Sequence, residues 1–130
     1  MSDWSDWKPS ILVAEDNPFN STLVVRMIER LGFHAQLAHD GREALEMARA
    51  GTFDIILMDM QMPEMDGLEA TRAIRALRLT RRPRIVALTA NTLEEERQRC
   101  LDAGMDDFLS KPFRVDDLRS KLRFFENTGC

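Results

Sequence analysis

The sequence predicts an α/β protein in which a doubly wound parallel sheet of five strands is covered by five helices. Three observations predict it. Short apolar runs without period-two alternation recur along the chain, as strands buried on both faces require. Between them, apolar residues recur at helical spacing. At the joints stand helix-opening patterns: Asp40 with Glu43, Asp66 with Glu69 and Asn91 with Glu94 all read as capping boxes. Strict alternation at this period implies parallel strands joined by right-handed crossovers.

The first strand is Ile11-Leu12-Val13-Ala14, closed by Glu15-Asp16. Asn17-Pro18 turns the chain, and Pro18 suits the opening of a helix. Leu23, Val24, Met27, Ile28 and Leu31 give that helix its apolar spacing, and Gly32 stops it. Ala35-Gln36-Leu37-Ala38 is a shorter second strand. The helix opened by Asp40 carries Ala44, Leu45 and Ala48 and stops near Gly51. The central run, residues 54–58, ends on the single carboxylate of Asp59 and breaks into a loop holding Pro63. The helix behind Asp66 is expected to bury Leu68, Ile74 and Leu77. Residues 85–88 form a fourth strand ending at Thr89, and the next helix runs from Asn91 to about Gly104. Phe108-Leu109 is the heart of a fifth strand ending at Ser110-Lys111-Pro112. A last helix carries Val115, Leu118, Leu122 and Phe125.

At 130 residues the chain suits one domain with a core that needs no disulfides. Residues 10–126 are expected to form it, with residues 1–9 a mobile leader and 127–130 a tail. The leader repeats Ser-Asp-Trp at Trp4 and Trp7, two rings that could instead dock on the domain or a partner. A net charge of −4 argues against a general polyanion binder. Cys100 and Cys130 lack metal-ligand spacing and read as free thiols of a reducing compartment, with the cytoplasm expected. No apolar run is long enough to cross a bilayer.

Parallel strands end on one edge, so Glu15, Asp16, Asp59, Thr89 and Lys111 converge there. At an effective dielectric near 20 and ~5 Å separation, each carboxylate pair costs roughly 3 kcal/mol. Lys111 offsets part of this, and a hard divalent ion such as Mg²⁺ is the natural remainder; the set lacks the His and Cys that zinc favours. A metal, a lysine and a hydroxyl around one carboxylate suit phosphoryl transfer through an aspartyl phosphate.

Glu15-Asp16 after an apolar strand, the run from Met58-Asp59 through Pro63 to Asp66-Gly67, Leu88-Thr89-Ala90 and Lys111-Pro112 resemble the receiver domain of two-component response regulators. The likeness runs in order from Ile11 to Phe125, and its wording is most similar to receivers of hybrid sensor histidine kinases. It implies a flavodoxin-like sheet of order 2-1-3-4-5. It further implies that Asp59 accepts a phosphoryl group from the phosphohistidine of a sensor kinase or a histidine phosphotransfer domain. Asp16, Asp59 and the backbone carbonyl of Gln61 would ligate Mg²⁺, with Glu15 acting through water. Thr89 would be the switch hydroxyl, Lys111 the phosphate partner and Phe108 an aromatic rotamer switch, and the Lys111-Pro112 bond would be cis. Such a domain catalyses its own phosphorylation and dephosphorylation and is a switch rather than an enzyme.

Other residues have plainer roles. Met58, Met60, Met62 and Met65 read as packing, and His34 and His39 lack the setting of a phosphodonor. The run of Arg72, Arg75, Arg78, Arg81, Arg82 and Arg84 reads as a solvated helix face balancing acidic neighbours, with a docking patch as the alternative. Pro18, Phe19, Pro112 and Phe113 suggest an apolar patch that docks the His-bearing helix of a phosphodonor. Direct contact with nucleic acid or membrane is not expected, and the oligomeric state stays open between monomer and weak dimer. Rival readings are a binding-only pseudo-receiver and an aspartyl-phosphate hydrolase. Gln61 stands where such a hydrolase places its second Asp, and Gln61 and Asn91 flank the path of attacking water.

Overall fold

The computed structural model describes residues 9–90 and 93–128, with residues 123–128 described by backbone alone. Five parallel strands form one sheet in the order β2-β1-β3-β4-β5. They are β1 (Ile11–Ala14), β2 (Ala35–Ala38), β3 (Ile55–Asp59), β4 (Arg84–Thr89) and β5 (Asp107–Ser110). Each is followed by a helix: α1 (Pro18–Arg30), α2 (Gly41–Ala50), α3 (Gly67–Ala76), α4 (Glu94–Ala103) and α5 (Val115–Thr128).

Why the strands read as unbroken apolar runs is now visible. Successive side chains point to opposite faces, and both faces are covered. Leu12, Ala14, Ile56, Met58, Ile85 and Ala87 pack with α2, α3 and α4. Ile11, Val13, Ile55, Leu57, Val86 and Leu88 pack with α1 and α5. Every side chain of β1 and β3 is buried, down to the final Asp59. Each fully buried Leu or Ile contributes roughly 1.5–3 kcal/mol.

Helix ends agree with the sequence reading at two joints and depart from it elsewhere. Asn17 caps α1, accepting from Asn20 N, and Pro18 is the first helical residue. Asp66 and Glu69 form a full capping box, with bonds of 2.9 and 3.1 Å. At α2, Asp40 accepts from Glu43 N, but the Glu43 carboxylate reaches back to His39 N instead of Asp40 N, so the box is only half made. α4 begins at Glu94 with Leu93 at its cap position, which makes Glu94 the first helical residue and not the third. Asn91, the expected cap, lies outside the described residues, as do the leader tryptophans, Cys130 and the Phe125 side chain. Leu77 is a half-buried C-terminal cap, whereas Leu68 and Ile74 are buried.

The arginine run balances acidic neighbours as expected, with Arg72, Arg78, Arg81 and Arg82 solvated, but Arg75 and Arg84 are largely covered. Arg75 donates from Nε to Gly104 O at 2.9 Å, from Nη1 to Pro83 O at 2.8 Å and from Nη2 to Asp106 at 2.8 Å. Arg82 joins the same carboxylate, Arg84 pairs with Asp107, and Arg81 pairs with Asp54 at 2.6 Å. These pairs lie at the amino ends of the strands, where Asp54 also accepts from Ser10 N. They brace the α3–β4 and α4–β5 joints. Gly104, at φ 109°, closes α4 in a left-handed conformation with Arg75 packed against it.

Arg75→Met leaves Asp106 without its best-buried partner and two carbonyls without a donor. It is expected to lower stability in urea unfolding by about 2–4 kcal/mol. Arg119→Gln, which removes a pair with the exposed Asp116, should cost no more than about 0.5 kcal/mol.

Candidate functional site

The carboxyl ends of the strands carry a different arrangement. Glu15 follows β1 and is 1% exposed, while its neighbour Asp16 is exposed. Asp59 ends β3, where Met60 N continues the ladder to Leu88 O at 3.2 Å. Thr89 ends β4 and is buried. Oxygens of Glu15, Asp16 and Asp59 lie within 4.8 Å of one another.

Lys111 closes the cluster from β5. Its backbone N–H bonds Thr89 O at 2.8 Å, which fixes where the side chain starts. Its Nζ donates to Asp59 at 3.0 Å and to Glu15 at 3.2 Å. The Lys111–Pro112 peptide is cis, as the resemblance implied. Burial opposes the charge on this ammonium, but the hydrogen bond and charge of Asp59, with Glu15 behind it, outweigh burial and raise its pKa. The opposite strain falls on Glu15. Burial first, then the hydrogen bond and charge of Asp59, push its carboxyl from 4.5 to about 7, against the backbone N–H of Asn17 and the Lys111 ammonium.

The β3–α3 loop is wedged beneath this cluster. A side chain at Gly67 would collide with the backbone of Asp59, and one at Gly41 with the backbone of Met65. Glycine is therefore demanded by close approach at both positions. Met58, Met60 and Met62 are buried in the core and Met65 packs against it. Behind Met60 lies the buried Cys100, with 3.8 Å between the sulfurs.

Asp59 opens onto two cavities. The first, of about 510 Å³, is bordered by Glu15, Asp16, Asn17 and Gln61. The second, of about 410 Å³, lies toward α4 and is bordered by Thr89, Lys111, Glu96 and Arg99. All of the residues anticipated for the site except Phe108 thus meet at one rim. Phe108 is half-buried within β5, three residues before Lys111, with Arg97 stacked 4.9 Å from its ring centre. His39 is exposed and paired with Glu43.

A third concavity, about 370 Å³, borders Lys111 and is lined by Leu23, Val24, Met27, Pro112 and Phe113. Phe19 is 76% exposed on the same helix but outside this lining. Of the residues that give α1 its apolar spacing, Leu23 is exposed and Met27 lies at the edge of the core. Their spacing with Phe19, at i, i+4 and i+8, marks a stripe separate from the buried Val24 and Ile28. Glu96 and Arg99 were also missed, because nothing in their local pattern ties α4 to Asp59.

The family model of the response regulator receiver domain matches residues 11–123. The chain belongs to that family. This receiver domain is 44% identical over 115 residues to the sensor histidine kinase RcsC of Salmonella typhi, covering 88% of this chain and 12% of that one. It is 45% identical over 116 residues to the hybrid signal transduction protein dokA of Dictyostelium discoideum, covering 88% and 7%. The domain thus spans a small fraction of these curated relatives. Among solved structures, it superposes on a sensor histidine kinase receiver domain of Pseudomonas aeruginosa that has magnesium coordinated in its active-site cleft. That match has a TM-score of 0.85 and 43% identity, covering 93% and 99% of the two chains. A receiver domain of Saccharomyces cerevisiae, crystallised with a histidine phosphotransfer protein, matches with a TM-score of 0.85 and 27% identity, covering 94% and 91%. The fold and the family place this chain in two-component phosphorelay signalling. Among the described residues, no helix is long and apolar enough to cross a membrane.

Between pH 4.5 and 7 the folded, metal-free domain holds a proton on Glu15 that the unfolded chain has released. Its stability therefore falls as pH rises through that window. Glu15→Gln cannot ionise, so its stability relative to wild type should grow from nothing near the lower end to roughly 3 kcal/mol above the upper end. Thermal melts in a chelating buffer across this range check it; parallel curves for the two proteins would contradict it.

Proposed function

We propose that Asp59 is the phosphoacceptor of this domain and that residues 10–126 form the functional unit. The supporting observation is the placement of Asp59: it ends a fully buried strand, receives the Lys111 ammonium and faces both Glu15–Asp16 and Thr89. An oxygen of Asp59 attacks the phosphorus of a phosphohistidine. The P–N bond breaks, and the imidazole nitrogen leaves with the bonding pair and takes a proton from solvent. Lys111 holds the attacking carboxylate and then a phosphoryl oxygen. Thr89, buried beside it, donates its hydroxyl to the phosphoryl group, and this movement, with Phe108 beneath Arg97, alters the α4–β5 surface. Water attack on phosphorus later breaks the P–O bond to Asp59 and returns the carboxylate and inorganic phosphate. The domain promotes both steps on itself and acts as a switch rather than a turnover enzyme.

The donor set fits a hard divalent cation. Three carboxylates lie together with one ammonium bonded to only two of them, every candidate ligand is oxygen, and the magnesium-holding relative supports the choice. Asp16, Asp59 and the Gln61 carbonyl would hold Mg²⁺, and Glu15 would act through a bound water. When bound, the ion would offset charge on the attacking carboxylate and on the transferring phosphoryl oxygens. The donor is the phosphohistidine of a sensor kinase or histidine phosphotransfer domain, a reading supported by the sensor histidine kinase relative and the yeast complex, and we place the exchange in the cytoplasm. The groove of Leu23, Met27 and Phe113, with Phe19 at its side, is where the donor's helix would lie.

Intact mass after incubation with acetyl phosphate tests the acceptor. The expected result is one phosphoryl adduct that requires Mg²⁺ and is lost in Asp59→Asn; an adduct that survives the substitution would refute it. Phe19→Ala with Leu23→Ala should slow transfer from a cognate phosphohistidine protein about tenfold. Its reaction with acetyl phosphate should be unchanged.

A further inference from the structure

We propose that Glu96 and Arg99 of α4 form an opposed charge pair that sets how strongly the Asp59 cavity attracts an incoming phosphoryl group, Arg99 drawing it in and Glu96 opposing it. The inference rests on Asp59 being the phosphoacceptor.

Both residues border the same cavity as Asp59, Thr89 and Lys111. A sphere of about 410 Å³ is about 9 Å across. That is close to one Debye length at about 0.1 M ionic strength, so these charges act on one another with only partial screening. α4 is turned so that this is its inner face. Glu96 and Cys100 lie one turn apart, and Cys100 Sγ packs on Met60 Sδ, the residue after Asp59. Arg97, between them in sequence, stacks on Phe108 of β5 instead. Burial raises the Cys100 pKa, and the carboxylate of Glu96 adds to it, as expected for a charge held over this layer.

The charge inventory gives the pair its role. Asp59, Asp66 and Glu96 make the cavity acidic, against Lys111 and Arg99. Lys111 is already committed to Asp59 and Glu15. Arg99 bonds Glu96 at 3.0 Å, yet its side chain is 63% exposed whereas that of Glu96 is 15% exposed. The carboxylate is largely enclosed by the cavity wall, whereas the guanidinium reaches into solvent. A phosphoryl group at Asp59 brings negative charge, which repels Glu96 and competes with it for Arg99.

The two neutralising substitutions therefore have opposite signs, which a loss of packing would not produce. The experiment follows the rate of phosphorylation of the whole chain by acetyl phosphate with Mg²⁺, for wild type, Glu96→Gln, Arg99→Gln and Arg119→Gln. Glu96→Gln is expected to speed the reaction and Arg99→Gln to slow it, each roughly two- to tenfold. Beryllofluoride binding should move in the same two directions, and both effects should shrink as ionic strength rises. Arg119→Gln, which removes the same charge from α5, should match wild type. If the Glu96 and Arg99 variants move together, or neither departs from the Arg119 control, the inference is overturned. A wild type that takes up no phosphoryl group would instead overturn the acceptor reading, and this one with it.

Discussion

One ammonium shared by two buried carboxylates governs this molecule. Lys111 stands at the end of β5, while its partners Asp59 and Glu15 belong to β3 and β1, two and three strands away. Adjacent strands lie about 4.8 Å apart, so the nearer partner is roughly 10 Å away in backbone terms. Only a long cationic side chain can cross that gap, and it must cross the end of β4. Thr89 is small enough to let it pass and supplies, through its carbonyl, the backbone bond that fixes where Lys111 starts. The strand order, the small side chain on β4 and the lysine on the edge strand are therefore parts of one requirement.

Much of this was legible in the sequence because burial on both sheet faces leaves a plain signature. Runs such as Ile11-Leu12-Val13-Ala14 and Ile55-Ile56-Leu57-Met58 admit few readings, and a carboxylate at the end of such a run marks the rim. What escaped detection depended on geometry across elements. That the arginine run balances acidic neighbours was legible, but the covering of Arg75 and Arg84 was not, because the partners Asp54, Asp106 and Asp107 are distant in sequence. Leu23 was not distinguishable from its buried neighbours because a helix in a doubly wound fold can carry two apolar stripes, and periodicity does not say which one is covered. Glu96 and Arg99 gave no local signal at all. Their relation to Asp59 exists only once α4 has been packed and rotated against Met60.

The two edges of the sheet are built on opposite electrostatic plans. At the amino edge each Asp meets at least one arginine, and Arg75 also satisfies two backbone carbonyls. At the carboxyl edge, negative charge outruns positive, and Glu15 bears the cost as a carboxyl pushed to about 7. An unfavourable cluster of this kind persists only where the rest of the fold supplies a margin of stability. The compensated edge and the two apolar layers provide that margin, which leaves the other edge available to bind ligands of opposite charge.

The Arg75 anchor also has a mechanical meaning. It grips α4 at its last turn, through Gly104 and Asp106, and leaves the helix's first turn beside the Asp59 cavity. A ten-residue helix is about 15 Å long, so a tilt of about 5° around that anchor moves its far end by roughly 1.3 Å. α4 is in effect a lever with its fulcrum at the charged edge and its free arm at the acidic one. Small rearrangements around Asp59 need only be angular at the anchor to become an ångström-scale displacement of the surface above it.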